Sequence, residues 1–344
     1  MKAKKLPSGS WNVQVFVGLD QNGKKIRKSF TAPTKKEAEY LAASFKAHHQ
    51  EVTRDSTAMT LSEAIDKYIE FKGATLSPST IRGYRFIQRK SLQAIMNIKI
   101  NKLTLNMIQA AVNAEIKEKK AKTLKNEIGL VKSVLKMYAP SLSLNGLTLP
   151  QRERFEAQEL TLQEVTVLFN SILNDDLAIP LLLALCCGLR ASEINALKWS
   201  DYDKKIQTIY IHSATVRGED GSYVTKGTKT TNSTRTISIP EFLSARLNSS
   251  EITSDYIVNA SQSAIRRHLD KICKENNIPH VRLHDLRHIN ASIMLYLNVP
   301  SKYALERGGW DDIKTMDKIY QFTFKDEKKI VDSRINNFFE NAIS

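Results

Sequence analysis

The sequence predicts a mainly α protein with small β elements, an α+β chain of three domains. Three observations lead there. Residues near the N-terminus alternate as in a half-buried hairpin, helix-start signals recur along the chain, and short strand-like runs past residue 200 stand among helical stretches. A length of 344 residues suits two or three domains.

The first domain, residues 1–55, is a small sheet followed by a helix. Trp11, Val13, Val15 and Val17 alternate with other residues, and Asp20-Gln21-Asn22-Gly23 marks a turn before a second strand with Ile26 and Phe30. Thr34-Lys35-Lys36-Glu37 fits a capping box that opens a helix running to about residue 52. The hairpin carries Lys24, Lys25, Arg27 and Lys28, which is either a solvated basic surface or a small sheet offered to a DNA groove. The polar stretch Glu51 to Ala58 reads as a linker.

The second domain, residues 59–145, is a helical bundle. Thr60-Leu61-Ser62-Glu63 fits another capping box, and Leu61, Ala64, Ile65, Tyr68 and Ile69 form an apolar stripe at helical spacing. Pro78 starts the next helix, where Arg82, Arg85 and Arg89 share one face, either solvated or contacting phosphates. Helices follow around Asn106 to Lys117 and Thr123 to Tyr138. Ser141 to Gln151, with Gly146 and Pro150, reads as a linker.

The third domain, residues 154–344, is mixed but mostly helical, with a short antiparallel sheet. Thr161-Leu162-Gln163-Glu164 caps its first clear helix, and a buried helix ends at Gly188. Strands are expected at Thr208 to Ile211, near Tyr223 to Thr225, and at Thr234 to Ile239. Ile330, Val331, Ile335, Phe338 and Phe339 follow helical spacing near the end, as a helix packed on its own domain or docking on a second subunit would.

Composition narrows the partner. Lys+Arg number 51 against 36 Asp+Glu, a formal charge of +15, which favours a polyanion, with DNA or RNA ahead of an anionic membrane. Cys186, Cys187 and Cys273 have no metal-ligand spacing and read as buried, inert thiols in a reducing compartment. The start, Met1-Lys2-Ala3-Lys4-Lys5, leads into polar residues rather than a signal-peptide core, and the apolar run Ile179 to Cys187 is too short to span a bilayer. A soluble intracellular protein is expected.

One constellation carries chemistry. Gly188-Leu189-Arg190-Ala191-Ser192-Glu193 supplies an arginine at a helix start, His284-Asp285-Leu286-Arg287 a histidine and a second arginine, and Gly308-Gly309-Trp310 and Tyr320 follow. Guanidinium groups clamp phosphate oxygens with paired hydrogen bonds and stay charged at any working pH. Breaking a phosphodiester requires neutralised nonbridging oxygens, an activated nucleophile and a protonated leaving alkoxide. Arg190 and Arg287 suit the first task, although Arg190 also has Glu193 as a salt-bridge partner or orienting group. A helix would put His284 and Arg287 on one face. Asp285 reads as a brace, His280 and His288 as structural. Trp310 can donate one hydrogen bond but cannot shuttle protons. Tyr320 is the candidate nucleophile, whose attack would conserve the ester energy in a covalent phosphotyrosine, whereas Tyr296 and Tyr303 read as helix-packing residues.

The order of these motifs resembles the tyrosine recombinases, phage-type integrases in particular. The resemblance follows the domain order along most of the chain, and its motifs are specific in the third domain. It implies Arg190, Lys229, His284, Arg287, Trp310 and Tyr320 as the catalytic set. Lys229, in the run Lys229-Thr230-Thr231-Asn232-Ser233-Thr234-Arg235, would protonate the leaving 5′-oxygen, with Lys226 as its competitor. The first domain would bind arm-type DNA sites and the second would grip the core site. The implied reaction cleaves one strand through a 3′-phosphotyrosyl bond, after which a 5′-hydroxyl of the partner DNA attacks. Two such rounds in a homotetramer exchange both strands through a four-way junction, integrating and excising a phage or mobile element. No metal or nucleotide cofactor is implied. A directionality factor or DNA-bending protein is a further implied partner, and the bacterial cytoplasm, at the nucleoid, the implied location. The rivals are relaxation of DNA by a type IB topoisomerase and a catalytically silent DNA-binding regulator.

Overall fold

The computed structural model describes residues 3–19, 25–56, 59–151, 160–227, 233–312 and 324–341. The chain divides into two compact units, Met1–Arg154 with Arg217–Ser222, and Phe155–Val216 with Tyr223–Ser344.

The first unit opens on an antiparallel sheet in the order β1 (Lys4–Lys5), β2 (Trp11–Leu19), β3 (Lys25–Ala32). Alternation buries Val13, Val15 and Ala32 against Ala38 and Ala42 of α1 (Lys35–Ser56), two small side chains that let helix and sheet approach closely. The other face of the sheet holds the cross-strand pairs Asn12 with Thr31, Gln14 with Ser29 and Phe16 with Arg27. The expected linker from Glu51 is largely helix instead, since α1 continues to Ser56. Neither glycine nor proline interrupts it, so polar side chains alone do not end the hydrogen-bonded ladder.

The helical part of this unit comprises α2 (Leu61–Lys72), α3 (Pro78–Lys90), the short α4 (Gln93–Met96), α5 (Leu105–Glu115) and α6 (Ala121–Tyr138). Thr60 and Glu63 form the expected capping box, with the Thr60 N–H donating to the Glu63 carboxylate at 2.7 Å, and Ser77 caps α3 ahead of Pro78. Leu61, Ile65, Ile108, Ile128, Val131 and Leu135 build the core. Among them sits a buried carboxylate, Glu127, which accepts from Ser91 Oγ at 2.7 Å and from Lys119 Nζ at 2.8 Å.

The second unit is organised around α8 (Ala178–Cys187), whose Ala178-Ile179-Pro180-Leu181-Leu182-Leu183-Ala184-Leu185-Cys186-Cys187 is apolar on every side and accordingly central. Around it lie α7 (Leu162–Leu173), α10 (Glu241–Asn248), α11 (Gln262–Glu275) and α12 (Leu283–Tyr296). A three-stranded antiparallel sheet runs β4 (Tyr202–Asp203), β5 (Thr208–Ile211), β8 (Arg235–Ser238), and β6 (Ser213–Arg217) pairs with β7 (Tyr223–Gly227). The four-residue α9 (Ala191–Ile194), α13 (Ser301–Gly308) and α14 (Lys325–Asn341) complete the described helices. Among the described residues no helix is long and apolar enough to cross a membrane. Burial pushes the thiols of Cys186 and Cys187 up to about 11 and about 12, so both are protonated at neutral pH.

Candidate active site

Chain turns that only glycine makes easily set this site. Gly188 ends α8 in the left-handed conformation (φ 65°), which turns the chain into Leu189 and places Arg190 at the N-cap of α9. A Cβ on Gly188 would lie 2.8 Å from Asn290 Oδ1. Asn290, on α12, donates to the Leu185 and Cys186 carbonyls at 2.9 and 3.1 Å and so fastens the end of α8 to α12. At the other motif, Gly309 caps α13 in the same left-handed conformation (φ 63°). A Cβ on Gly308 would meet the Trp310 ring at 2.1 Å, so that glycine makes room for the indole.

The two candidate phosphate-binding arginines converge here. Arg287 is 1% exposed on α12 and donates through Nη1 to the Gly188 carbonyl. Its guanidinium lies 4.6 Å from the centre of the Trp310 ring, itself 3% exposed. Arg287 Nη2 has no hydrogen-bond partner among the described residues, although it is buried. Burial and the charge of Arg190 push the Arg287 pKa down to about 9, which leaves the guanidinium charged near neutrality. Arg190 donates through Nη1 to Glu193 Oε1 at 2.5 Å and through Nη2 to the Gly309 carbonyl at 2.6 Å. Its Nε–H and the second hydrogens on both terminal nitrogens are unengaged among the described residues. The Arg190–Glu193 salt bridge weighed from sequence is thus present.

Glu193 is 3% exposed, and its carboxylate also accepts from Arg235 Nη2 at 3.1 Å. Burial alone would raise its pKa, but the charges of Arg235 and Arg190 prevail and hold it below the usual carboxylate range.

His284 sits in the first turn of α12, one turn before Arg287 as the spacing required. Part of its ring is open to solvent, while the ring packs edge-on to His288 with centroids 4.6 Å apart. Desolvation by this packing, reinforced by the Arg287 charge, lowers its pKa below the ordinary imidazole value. It is therefore neutral near pH 7, able to donate from one nitrogen and accept at the other. Asp285 is the brace expected, bonded to Arg282 Nε and Nη2 at 2.8 Å each and accepting the Arg282 N–H that opens the helix. His280 pairs with Asp270 at 3.1 Å.

Lys229 and Tyr320 lie outside the described residues, as does Lys24. Lys226 lies on β7. Tyr303 corrects its sequence reading as a packing residue, being 65% exposed on α13, where Ala304 and Gly308 are buried and Leu305 packs against the core. Tyr296 is 44% exposed and packs its ring edge-on to that of Phe324, 6.1 Å away.

The candidate DNA contacts separate by face. Arg27 stands on the open face of the sheet opposite Phe16. Lys28 is on the helix side, its ammonium 4.4 Å from the centre of the Phe45 ring. Lys25 lies on β3, and its side chain is outside the described set. On α3, Arg82 and Arg89 are exposed, whereas Arg85 is bonded to Asp66 and, at 3.1 Å, to Gln88. The open sheet face also contains Lys4, Asn12 and Gln14, which no charge cluster in the sequence marks. Among the described residues no three of His, Cys, Asp and Glu are placed to share a metal ion.

Buried Arg287, half-buried Arg190, an imidazole and a buried indole gather at two glycine-shaped turns, and their donors suit a tetrahedral anion. Residues 158–327, a span containing every catalytic candidate, match the Phage integrase family. The chain carries a tyrosine recombinase domain of that family and is a site-specific recombinase. It is 21% identical to ICEBs1 integrase of Bacillus subtilis (strain 168), over 98% of this chain and 100% of that protein. It is 25% identical to the XerC-like tyrosine recombinase of Caldanaerobacter subterraneus subsp. tengcongensis, over 96% of each. Among solved structures, the Tn1549 transposon integrase in complex with transposon right end DNA aligns with a TM-score of 0.63 at 15% identity, covering 81% of this chain and 100% of that one. A lambda integrase dimer bound to a COC′ core site aligns with a TM-score of 0.56 at 14% identity, covering 93% and 94%.

Proposed function

We propose that this recombinase integrates and excises a mobile element by cutting DNA through a 3′-phosphotyrosyl bond at Tyr320. The observation that carries the reading is the pair of guanidinium groups at the two glycine turns. Among the described residues, Arg287 is buried with Nη2 unpaired, and Arg190 is braced on one edge while its other donors are unengaged. A buried donor without an acceptor costs about 1–3 kcal/mol, a cost that a bound phosphate oxygen would relieve. In this reading Arg190 and Arg287 hold the nonbridging oxygens of the scissile phosphate. The neutral His284 donates a further hydrogen bond or accepts the Tyr320 proton. Trp310 packs beneath Arg287 and offers its indole N–H. Tyr320 attacks phosphorus, the phosphorus–O5′ bond breaks, and Lys229 protonates the departing 5′-oxygen. These last two assignments rest on the motif order.

DNA is the partner, and the finer assignments follow from surfaces. The open sheet face with Lys4, Asn12, Gln14 and Arg27 is polar and basic, which favours an arm-type site in a groove. The lambda integrase tetramer bound to a Holliday junction provides the precedent for assembly, and the exposed apolar residues of α14 offer the contact between subunits. A directionality factor or DNA-bending protein is a further expected partner, and the nucleoid of a bacterial host the place of action.

Capture on nicked random-sequence duplexes identifies the site, after which two routes separate. Strand exchange between two duplexes carrying that site is expected. Relaxation of a supercoiled plasmid without exchange would favour a topoisomerase, and binding without a covalent adduct would favour a regulator.

A further inference from the structure

We propose that Arg235 is a positioning residue for strand cleavage, aligning Arg190 through the carboxylate of Glu193 and the chain leading to Gly309. The inference rests on the reading above, in which Arg190 holds the scissile phosphate.

Arg235 opens β8 opposite Ile211, on the inward side of the strand, and is 6% exposed. Alternation makes this a core position, where an aliphatic residue would pack without desolvating a charge. Its placed donors all point to protein. Nε donates to the Arg307 carbonyl at 2.9 Å, Nη1 to the Ser233 carbonyl at 3.1 Å and to Glu193 Oε1 at 3.4 Å, and Nη2 to Glu193 Oε2 at 3.1 Å. Such a group serves other side chains rather than DNA.

What it serves is visible in the acceptors. Glu193 Oε1 takes Arg190 Nη1 at 2.5 Å, and Oε2 takes the Arg190 backbone N–H at 3.0 Å. Both oxygens are thus shared between Arg190 and Arg235, and a carboxylate gripped along both edges cannot rotate. The second acceptor of Arg190 is the Gly309 carbonyl, two residues beyond the Arg307 carbonyl that Arg235 Nε holds. One buried guanidinium therefore steadies both groups that aim Arg190. It also joins three separate motif segments, around Arg190, Ser233 and Gly309.

Displacing a phosphate-binding group by about 1 Å costs on the order of 10²-fold in rate. The probe is a nicked duplex captured by the wild-type protein from a random-sequence pool, and the readout is the single-turnover rate of covalent adduct formation. Arg235→Gln should slow that rate by about 30- to 100-fold while duplex Kd changes less than about twofold. Arg235→Lys, which keeps the charge but loses the fork, should fall between. The Arg235→Gln, Glu193→Gln double variant should be slower than Glu193→Gln alone by no more than about 5-fold, since only the link to Gly309 is left to lose. It buries no orphan charge, so it carries the test even if Arg235→Gln does not fold. A folded Arg235→Gln protein cleaving at the wild-type rate would overturn the proposal, as would a double variant slower than Glu193→Gln by more than about 5-fold. A wild-type protein that forms no adduct on any duplex of the pool would instead overturn the underlying reading.

Discussion

The Arg287 guanidinium lies 4.6 Å from the centre of the Trp310 indole, and neither residue is more than 3% exposed. The indole thus forms the wall that keeps a charged side chain in place inside the protein. Trp310→Ala should destabilise the fold by about 3–5 kcal/mol, and Trp310→Phe, which keeps an aromatic face, by less than about 2 kcal/mol. Urea unfolding measures both. Equal losses would show that ring area beneath Arg287 is not what Trp310 contributes.

Glycine positions give a contrast of sign. A Cβ on Gly308 would sit 2.1 Å from the Trp310 ring, so Gly308→Ala should destabilise and should displace the indole from Arg287. On Gly129, in the middle of α6, a Cβ would meet nothing within 4 Å. Gly129→Ala should therefore stabilise by roughly 0.5–1 kcal/mol through helix propensity. Thermal unfolding of the two variants should show shifts of opposite direction, and shifts of the same direction would refute the packing argument at Gly308.

Acid should weaken the fold through His288. Burial and the neighbouring His284 push its pKa down from 6.5 to about 4. Between those values the unfolded chain binds a proton that the folded chain refuses, so stability falls as pH drops through that window and is independent of this group above it. His288→Asn should flatten the pH dependence of the urea midpoint from pH 6.5 to 4. An unchanged slope would assign the acid sensitivity elsewhere.

The final helix should act between molecules. Ile330, Val331, Ile335, Phe338 and Phe339 are exposed, the last two by 69% and 61%. Deleting residues after Asp332 should leave binding to a single site intact and abolish pairing of two sites, as resolved by native gel electrophoresis. Undiminished recombination by the truncated chain would remove this role.

Much of this was legible in the sequence because local chemistry decides it. The Thr60–Glu63 and Thr161–Glu164 boxes cap the helices they announced, Gly188 takes the left-handed turn its place after an apolar run suggested, and one helix carries His284 and Arg287. What was not legible depends on long-range packing. Arg235 looked like the tail of a lysine-bearing hairpin, although the alternation of β8, with Arg235 and Ile237 both buried, already placed an arginine on a core face. The roles of the Gly309 carbonyl and of Asn290 have no sequence signature, since a backbone acceptor carries no residue identity. The separation of Arg27 from Lys28 needed the strand register, and Tyr303 read as packing because helical spacing cannot tell which side of α13 meets the core.

The position of the DNA adduct decides whether Tyr320 is the nucleophile. Wild-type protein trapped on a captured nicked duplex would be digested, and the nucleotide-bearing peptide sequenced by mass spectrometry. The expected product is a phosphotyrosyl peptide carrying the DNA 3′-end on Tyr320, with no adduct from Tyr320→Phe protein that still binds the duplex. An adduct surviving that substitution, or DNA attached to Tyr296 or Tyr303, would contradict it.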